Sequence, residues 1–504
     1  PPFSVVTDSS AMSKRKSRSK PSVKSSRSTQ PKSKAFQPTP ASATTGESVP
    51  KLSELLADAV AKHRAGESEA AEALYNTIRQ HYPQDGNSIH LLGVIAYQRN
   101  QYQEAVDLYD QALQRLPNYA EIHNNMAVAL DKLDRKDDAF NHYQKALALK
   151  PDYAEAWHNL GTLEQSRLNI DTAIHHYQKS VALKPDYADG FNSWGSAYKR
   201  IGQLPDALEK YNRAIDINPN HVEARCGRAA VLMKMGDYRR GFMEYEWRWR
   251  HADCPPRASR QPAWDGSDFH GKVLLLYAEQ GLGDSIQMIR YIPKVLERGD
   301  RIWVECNQPG LTRLFQQIDG IEQVFERGQA PKTYNLHAPL MSMPRFFGTT
   351  VDTIPATIPY LSVPDDVQLT LPAQESGKLN VGIVWSANPM SKTGKNRSCD
   401  VAQLEPLLSH PGLNLYSLQK DVSEEDQAIL DRYGVVCLGS QFSDLADTAG
   451  IIQQLDLVIT VDTVIAHLTG ALGKPAWVML NMSCDWRWLN DRTDTPWYPT
   501  LRLF

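Results

Sequence analysis

Apolar and polar positions follow two different rhythms along this 504-residue chain. From Leu52 to about Arg250, small and aromatic residues return at a fixed interval. Pro83, Pro117, Pro151, Pro185 and Pro219 stand 34 residues apart, and Tyr75, Tyr109, Tyr143, Tyr177, Tyr211 and Tyr245 keep the same step. Small residues keep it too, at Ala71, Ala105, Ala139, Ala173 and Ala207 and at Gly93, Ala127, Gly161 and Gly195. Such a period predicts paired antiparallel helices, each pair able to bury its apolar face only by stacking on the next. Each proline ends the second helix of a pair, because it lacks the N–H and disfavours helical geometry before it. The pattern gives five full units from Leu52 to Asn220 and a modified sixth, His221 to Arg250. The sixth lacks the proline and ends in EYEWRWR, which suits a cap docking onto the following domain. From Lys272 the apolar runs become short and β-branched: Val273–Tyr277, Arg301–Glu305, Asn380–Trp385, Leu413–Leu418, Leu457–Val461 and Ala476–Leu480. Helical stretches separate them, the pattern of a parallel sheet buried on both faces.

Two β-α-β units concentrate polar residues where a strand meets a helix. In Leu455–Leu480 the strand ends at Asp462-Thr463, and Thr463 is a good N-cap for a helix Val464–Leu472 that Gly473 closes and Pro475 stops. Ligands of open parallel sheets bind at that edge, and a helix N-terminus there offers N–H groups to a phosphate. His467 lies one turn after Thr463 on the same face; its plain alternative is a satisfied structural histidine. In Lys272–Leu296 a turn bearing Gly281 and Gly283 leads to Asp284 at a helix start, where an aspartate can also serve only the helix dipole. No G-x-x-x-x-G-K-[ST] phosphate loop is present.

The 34-residue period is that of the tetratricopeptide repeat. In the remainder, QGLGD (Gln280–Asp284), VGIVWSANP (Val381–Pro389), NRS (Asn396–Ser398), SLQKD (Ser417–Asp421), DTA (Asp447–Ala449), VDTVIAHLTGALGKPAW (Val461–Trp477) and DWRWL (Asp485–Leu489) resemble the heptosyltransferase family. They are most similar to its bacterial subset fused behind tetratricopeptide repeats. The resemblance covers Lys272 to Phe504 and implies an α-solenoid followed by an α/β GT-B fold of two Rossmann-like domains. The expected division is a basic tail (1–50), the repeat array (51–254), a linker (255–271), an acceptor-side domain (272–378) and a nucleotide-sugar domain (379–504).

The implied activity is metal-independent, inverting transfer of a sugar from a nucleotide diphosphate to an acceptor hydroxyl. No Asp-x-Asp metal holder is present, and neither metal nor cofactor is expected. By the resemblance, Asp284 is the general base, and Asp462, Thr463 and His467 belong to the donor site, with Arg397 as its cation. Ser386 and Asn388 follow one strand and suit phosphate or sugar contacts; Gln419 and Lys420 end another and suit the nucleoside. Two departures stand out. Val464 replaces the glycine that often follows Asp-Thr, and family members continue beyond the point where this chain stops, with a helix that packs back. In the O-linked N-acetylglucosamine transferase family, asparagines at one inner-helix position bind a protein substrate. Asn125 and Asn159 occupy that position here, while Leu91, Ser193 and Gly227 replace it in the neighbouring units; ordinary helix-surface asparagines are the alternative.

Charge narrows the partners. The net charge of −3 includes about +7 from residues 1–50, which hold nine Lys/Arg against Asp8 and Glu47. That tail is too polar to build a core, and its SKRKSRSK cluster (Ser13–Lys20) reads as a solvated basic segment, with Met12 a candidate translation start. The rest is acidic, against nucleic acid as the main partner. No apolar run reaches membrane-span length, and six scattered cysteines without C-x-x-C point to a reducing cytoplasm. The expected partners are a nucleotide-diphosphate sugar and, through the repeats, a polypeptide or protein-carried glycan, with an envelope polysaccharide as runner-up. The competing class is a non-catalytic repeat scaffold with a degenerate transferase domain.

Overall fold

The computed structural model describes residues 51–251, 254–306, 309–388, 394–481 and 484–504, so the basic tail and Met12 lie outside it. The chain divides into two compact units, one ending at Gly190 and the other running from Phe191 to Phe504.

The first unit is all helix. Leu52–Arg64 pairs with Ser68–His81, Gly86–Gln98 with Tyr102–Leu113, Ala120–Lys132 with Lys136–Leu149, and Ala154–Ser166 with Ile170–Leu183. The recurring small residues have a steric cause. A Cβ on Gly93 would stand 2.5 Å from the ring of Tyr109, and one on Gly161 2.7 Å from that of Tyr177. Each tyrosine thus lies against the backbone of its partner helix, and the alanines of the series are fully buried. A further member of the period lies in the turn inside each pair. Gly66, Asn100, Asp134, Leu168, Gly202 and Gly236 all have positive φ, again 34 residues apart. Glycine, asparagine and aspartate take this conformation readily; Leu168, at φ 69°, does not. The period continues in the second unit through Leu204–Ile217, Val222–Lys234 and Tyr238–Tyr245, then a 3₁₀ turn, Glu246–Arg250.

Two parallel sheets follow. The first contains β1 (Val273–Tyr277), β2 (Arg301–Cys306), β3 (Ile321–Glu326) and β4 (Leu336–Pro339), in the order β3-β2-β1-β4. The second contains β5 (Leu379–Val384), β6 (Leu413–Ser417), β7 (Val436–Cys437), β8 (Leu457–Val461), β9 (Ala476–Met479) and β10 (Leu501–Leu503). Its order, β10-β9-β8-β5-β6-β7, is the doubly wound 3-2-1-4-5-6 arrangement read from the other edge. The order reverses between β5 and β8, the place where doubly wound sheets ordinarily have their ligand crevice, beyond the C-terminal strand ends. β1, all five residues buried, and β8 match the apolar runs of the sequence residue for residue.

Four strands escape the pattern. β3 is half exposed with Glu322 and Gln323 within it, β4 carries His337 and ends in a proline, and β7 and β10 are two and three residues long. The expected linker is also not free-running. Trp264 is buried, its backbone N–H donates to the His337 carbonyl at 2.8 Å, and Arg257 holds Glu305. Phe269 fills the space over Gly299, where a Cβ would lie 2.5 Å from its ring. Residues 257–269 therefore belong to the packing of the first sheet.

Candidate functional site

The glycine-bearing turn after β1 starts the short helix Leu282–Met288. Asp284 Oδ2 accepts the Gly281 N–H at 2.8 Å, so the aspartate holds its own helix start. Its other oxygen is in contact with the Arg487 guanidinium. Arg487, in the DWRWL segment, also donates to Gln287 Oε1 at 2.6 Å and to Asp485 Oδ1 at 2.5 Å. Burial works against its charge, but Asp284 and Asp485 outweigh that and hold the guanidinium above its ordinary range. Asp284 is thus placed by two elements that lie 203 residues apart in the chain.

His467 sits beneath this pair on the helix Val464–Ala471, which packs against Leu282–Met288. Its Nδ1 lies 2.9 Å from the Tyr498 hydroxyl and its ring stacks on Trp488 with centroids 5.4 Å apart. Gly283 covers it so closely that a Cβ there would stand 2.5 Å from the imidazole. Burial, with Arg487, Arg290 and Arg397 nearby, pushes its pKa far down and keeps it neutral. The expected donor contact is therefore enclosed in packing, and the satisfied structural histidine describes its surroundings better.

The C-terminal ends of β5, β6 and β8 bring together most of the other expected residues. The Ser386 N–H donates to Gln419 Oε1 at 3.2 Å, and Ser386 Oγ lies 3.2 Å from Ser398 Oγ. Ser398 also accepts the Ala387 N–H at 3.0 Å. Arg397 Nη1 donates to the Asp462 carbonyl at 3.0 Å, with the Asp462 carboxylate 3.8 Å away. Burial and the nearby Asp485 raise the Asp462 pKa to about 6, against the lowering influence of Arg397. Thr463 caps its helix as expected, accepting the Ile465 N–H at 3.3 Å. Asn388 and Lys420 are exposed at the same edge. Pro389 lies outside the described residues. Among the described residues, no group of three or more His, Cys, Asp or Glu is placed to hold a metal ion, and no helix is long and apolar enough to cross a membrane.

The two asparagines of the array are placed differently from the expectation of an open ladder. Asn125 is fully buried, with its Nδ2 2.9 Å from His90 Nε2, and Asn159 donates to Asn124 Oδ1 at 3.0 Å. Asn124 in turn donates to Asn125 at 3.3 Å. The amides link successive repeats internally, since a buried amide must find its partners inside.

Residues to which the sequence reading gave no role complete the site. Arg248, from the EYEWRWR run, reaches the turn after β1. It contacts Glu246 at 2.6 Å and Glu279 at 3.1 Å and donates to Ser342 Oγ at 2.9 Å. Glu279 is the more unusual carboxyl. Burial raises its pKa to about 7 despite Arg248, and its Oε2 is enclosed without a hydrogen-bond partner. Only the placement of Glu279 directly before the Gln280–Asp284 motif could have drawn attention to it. For Arg487 the signal lay in pairing across some 200 residues, which a single sequence does not encode legibly.

Comparison with known proteins assigns the repeats. A TPR repeat model matches residues 93–134, 135–165 and 195–236. The chain is 26% identical over 304 residues to protein FlbA of Caulobacter vibrioides, covering 55% of this chain and 51% of FlbA, so it spans about half the length of the curated relative it matches. Among solved structures, MamA is 22% identical, covering 34% of this chain and 92% of MamA with a TM-score of 0.29. YrrB, described as a TPR protein with an unusual peptide-binding site, is 24% identical, covering 34% of this chain and 88% of its own with a TM-score of 0.29. A thermophilic TPR protein from Thermus thermophilus is 20% identical, covering 36% of this chain and 100% of its own, with a TM-score of 0.33. By the repeat model and its own helix pairs, the N-terminal part is a solenoid of tetratricopeptide repeats, an architecture suited to binding other proteins, and parallel sheets follow it.

Proposed function

We propose that the chain is a metal-independent inverting glycosyltransferase whose repeats recruit a polypeptide or protein-carried glycan. One observation carries this reading: Asp284 stands at the turn after β1, against a second sheet of dinucleotide-binding strand order whose switch-point edge gathers Ser386, Ser398, Arg397 and a Thr463-capped helix. Plain packing does not require that concentration of polar groups at one edge. The two sheets would form the halves of a GT-B fold. The donor diphosphate would meet the helix N-terminus at Val464 and the Arg397 guanidinium, which would stabilise the negative charge left on the phosphate as the sugar–oxygen bond breaks. The acceptor oxygen forms the new bond to the anomeric carbon from the opposite face, and its proton passes to a carboxylate, assigned to Asp284. A nucleotide-sugar donor and six free cysteines suit a reducing cytoplasm.

A scaffold without catalysis is the second reading. It is favoured by the engagement of both Asp284 oxygens and by the enclosure of His467. Calorimetric titration of the full chain with ADP- and UDP-sugars separates the two. Binding that weakens about tenfold in Arg397→Ala, by loss of a charge-assisted hydrogen bond, supports the enzyme; no binding of any donor leaves the scaffold. With a turnover assay, Asp284→Asn should keep donor affinity and lose most transfer, and an unchanged rate would reduce Asp284 to a helix cap.

A further inference from the structure

A cavity of about 400 Å³ opens where the sixth repeat meets the fifth, between the helices Leu204–Ile217, Val222–Lys234 and Tyr238–Tyr245. Its wall joins second helices, which carry Leu208, Arg240, Met243 and Glu244, to the first helix of the sixth repeat, which carries Arg225 and Arg228. Its wall mixes two chemistries. Arg225 and Arg228 both grip Glu244, at 2.8 and 2.6 Å. Arg225 and Arg250 also lie over the Trp247 ring, with 4.1 and 3.9 Å from guanidinium carbon to ring centroid. Arg240, on the rim, pairs with Asp237. The cavity wall therefore carries three guanidiniums, Arg225, Arg228 and Arg240, against the single carboxylate of Glu244, and even with Asp237 behind Arg240 the excess charge is positive. Beside them Met243 leaves 63% of its surface in water, an exposure unusual for a capping repeat, whose outer face is ordinarily polar.

We propose that this groove docks an acidic peptide segment that carries one large apolar side chain. The arginines are held in place by Glu244 and Trp247, so little side-chain freedom is lost when a carboxylate arrives. Met243, Leu208 and the edge of Trp247 supply the apolar seat. The volume sits at the small end of ligand pockets, roughly 300–1,000 Å³, and takes a side chain or two rather than a folded partner. A free phosphate would leave the apolar wall unused, and a basic peptide would meet like charge. The proposal does not depend on the transferase reading.

Fluorescence anisotropy on the full chain tests it with three labelled peptides: acidic residues around one Phe, the same peptide with Lys for each acid, and the acidic peptide with Gly for Phe. The first should bind in a salt-sensitive manner and the other two at least about tenfold more weakly. Arg240→Glu and Met243→Asp, both at exposed positions, should each weaken the first peptide by about tenfold. If either variant misfolds by circular dichroism, Arg240→Ala and Met243→Ser replace them. Equal binding of the three peptides, unchanged affinity in the folded variants, or no binding of the acidic Phe peptide overturns the proposal.

Discussion

The repeat unit and the sheet unit bury polar groups to opposite ends. Between repeats, His90, Asn124, Asn125 and Asn159 answer one another neutrally, amide to amide and amide to imidazole. At the sheet edges the buried groups are charged and unevenly matched: Arg487 serves two aspartates, Arg248 two glutamates, and one Glu279 oxygen has no partner. Neutral pairs rigidify a stack at little cost, whereas a crowded set of buried charges persists only if each is compensated. The contrast gives the second unit the larger penalty for a broken partner.

The largest effect should therefore come from Arg487→Leu. It leaves Asp284 and Asp485 uncompensated beside the buried Gln287 and should cost about 3–5 kcal/mol, read by urea denaturation. A loss near zero would mean that water replaces the guanidinium and that the contrast between the units is unfounded.

The same contrast sets opposite responses to acid. Burial lowers the His90 pKa to about 4, and burial together with His123, whose Nδ1 lies 3.1 Å from that of His142, lowers His142 to about 4 as well. Between pH 6.5 and 4 the unfolded array binds protons that the folded array refuses, so its stability is present above this window and lost as pH falls; for the buried His90 this is roughly 3 kcal/mol. Glu279 and Asp462 have raised folded values, about 7 and 6. Their contribution has the other sign: it is gained as pH falls and lost as pH rises through those values. His467, held neutral, opposes them in the same unit. Hydrogen exchange at pH 7 and 5, corrected for intrinsic rates, should show the array loosening first, and His90→Gln should reduce the difference. Uniform loosening would show that the carboxyls do not offset His467.

Much of the array was legible in advance because one period repeats and each position has one steric job: tyrosine over glycine or alanine, proline after the second helix. The sheet unit was legible where strands are buried on both faces, as in β1 and β8. Short or edge strands such as β7 and β10 have too few residues to form a pattern. At the site, Thr463 announced its capping role locally, because an N-cap acts within its own turn. Arg487 and Arg248 act across long stretches of chain, and the enclosure of His467 depends on Gly283 from another element. Local spacing could not distinguish that histidine from a ligand-facing one.

That enclosure can be broken directly. Gly283→Ala places a methyl 2.5 Å from the His467 ring and should destabilise the sheet unit by about 1–3 kcal/mol, the usual cost of overpacking. In a His467→Ala background the same change should cost much less, because the obstructing ring is gone. Additive costs in this double-mutant cycle would show that the imidazole moves aside freely, which would restore it as a candidate for ligand contact.

The smallest effect belongs to the array and has the opposite direction. Leu168 occupies the left-handed turn position that glycine, asparagine or aspartate fills in the other repeats, and 66% of its surface is exposed. It gains little from burial, while its Cβ crowds the following carbonyl at a cost of roughly 1–2 kcal/mol. Leu168→Asn should relieve most of that cost, because the short polar side chain tolerates this conformation and can bond to its own turn. Leu168→Gly should gain less, since the unfolded chain also becomes freer. The expected outcome for Leu168→Asn is a higher unfolding midpoint, equivalent to about 1 kcal/mol of added stability. A fall instead would mean that the leucine makes a contact worth more than the strain, and that the array, like the sheet unit, holds a local cost for a purpose at its surface.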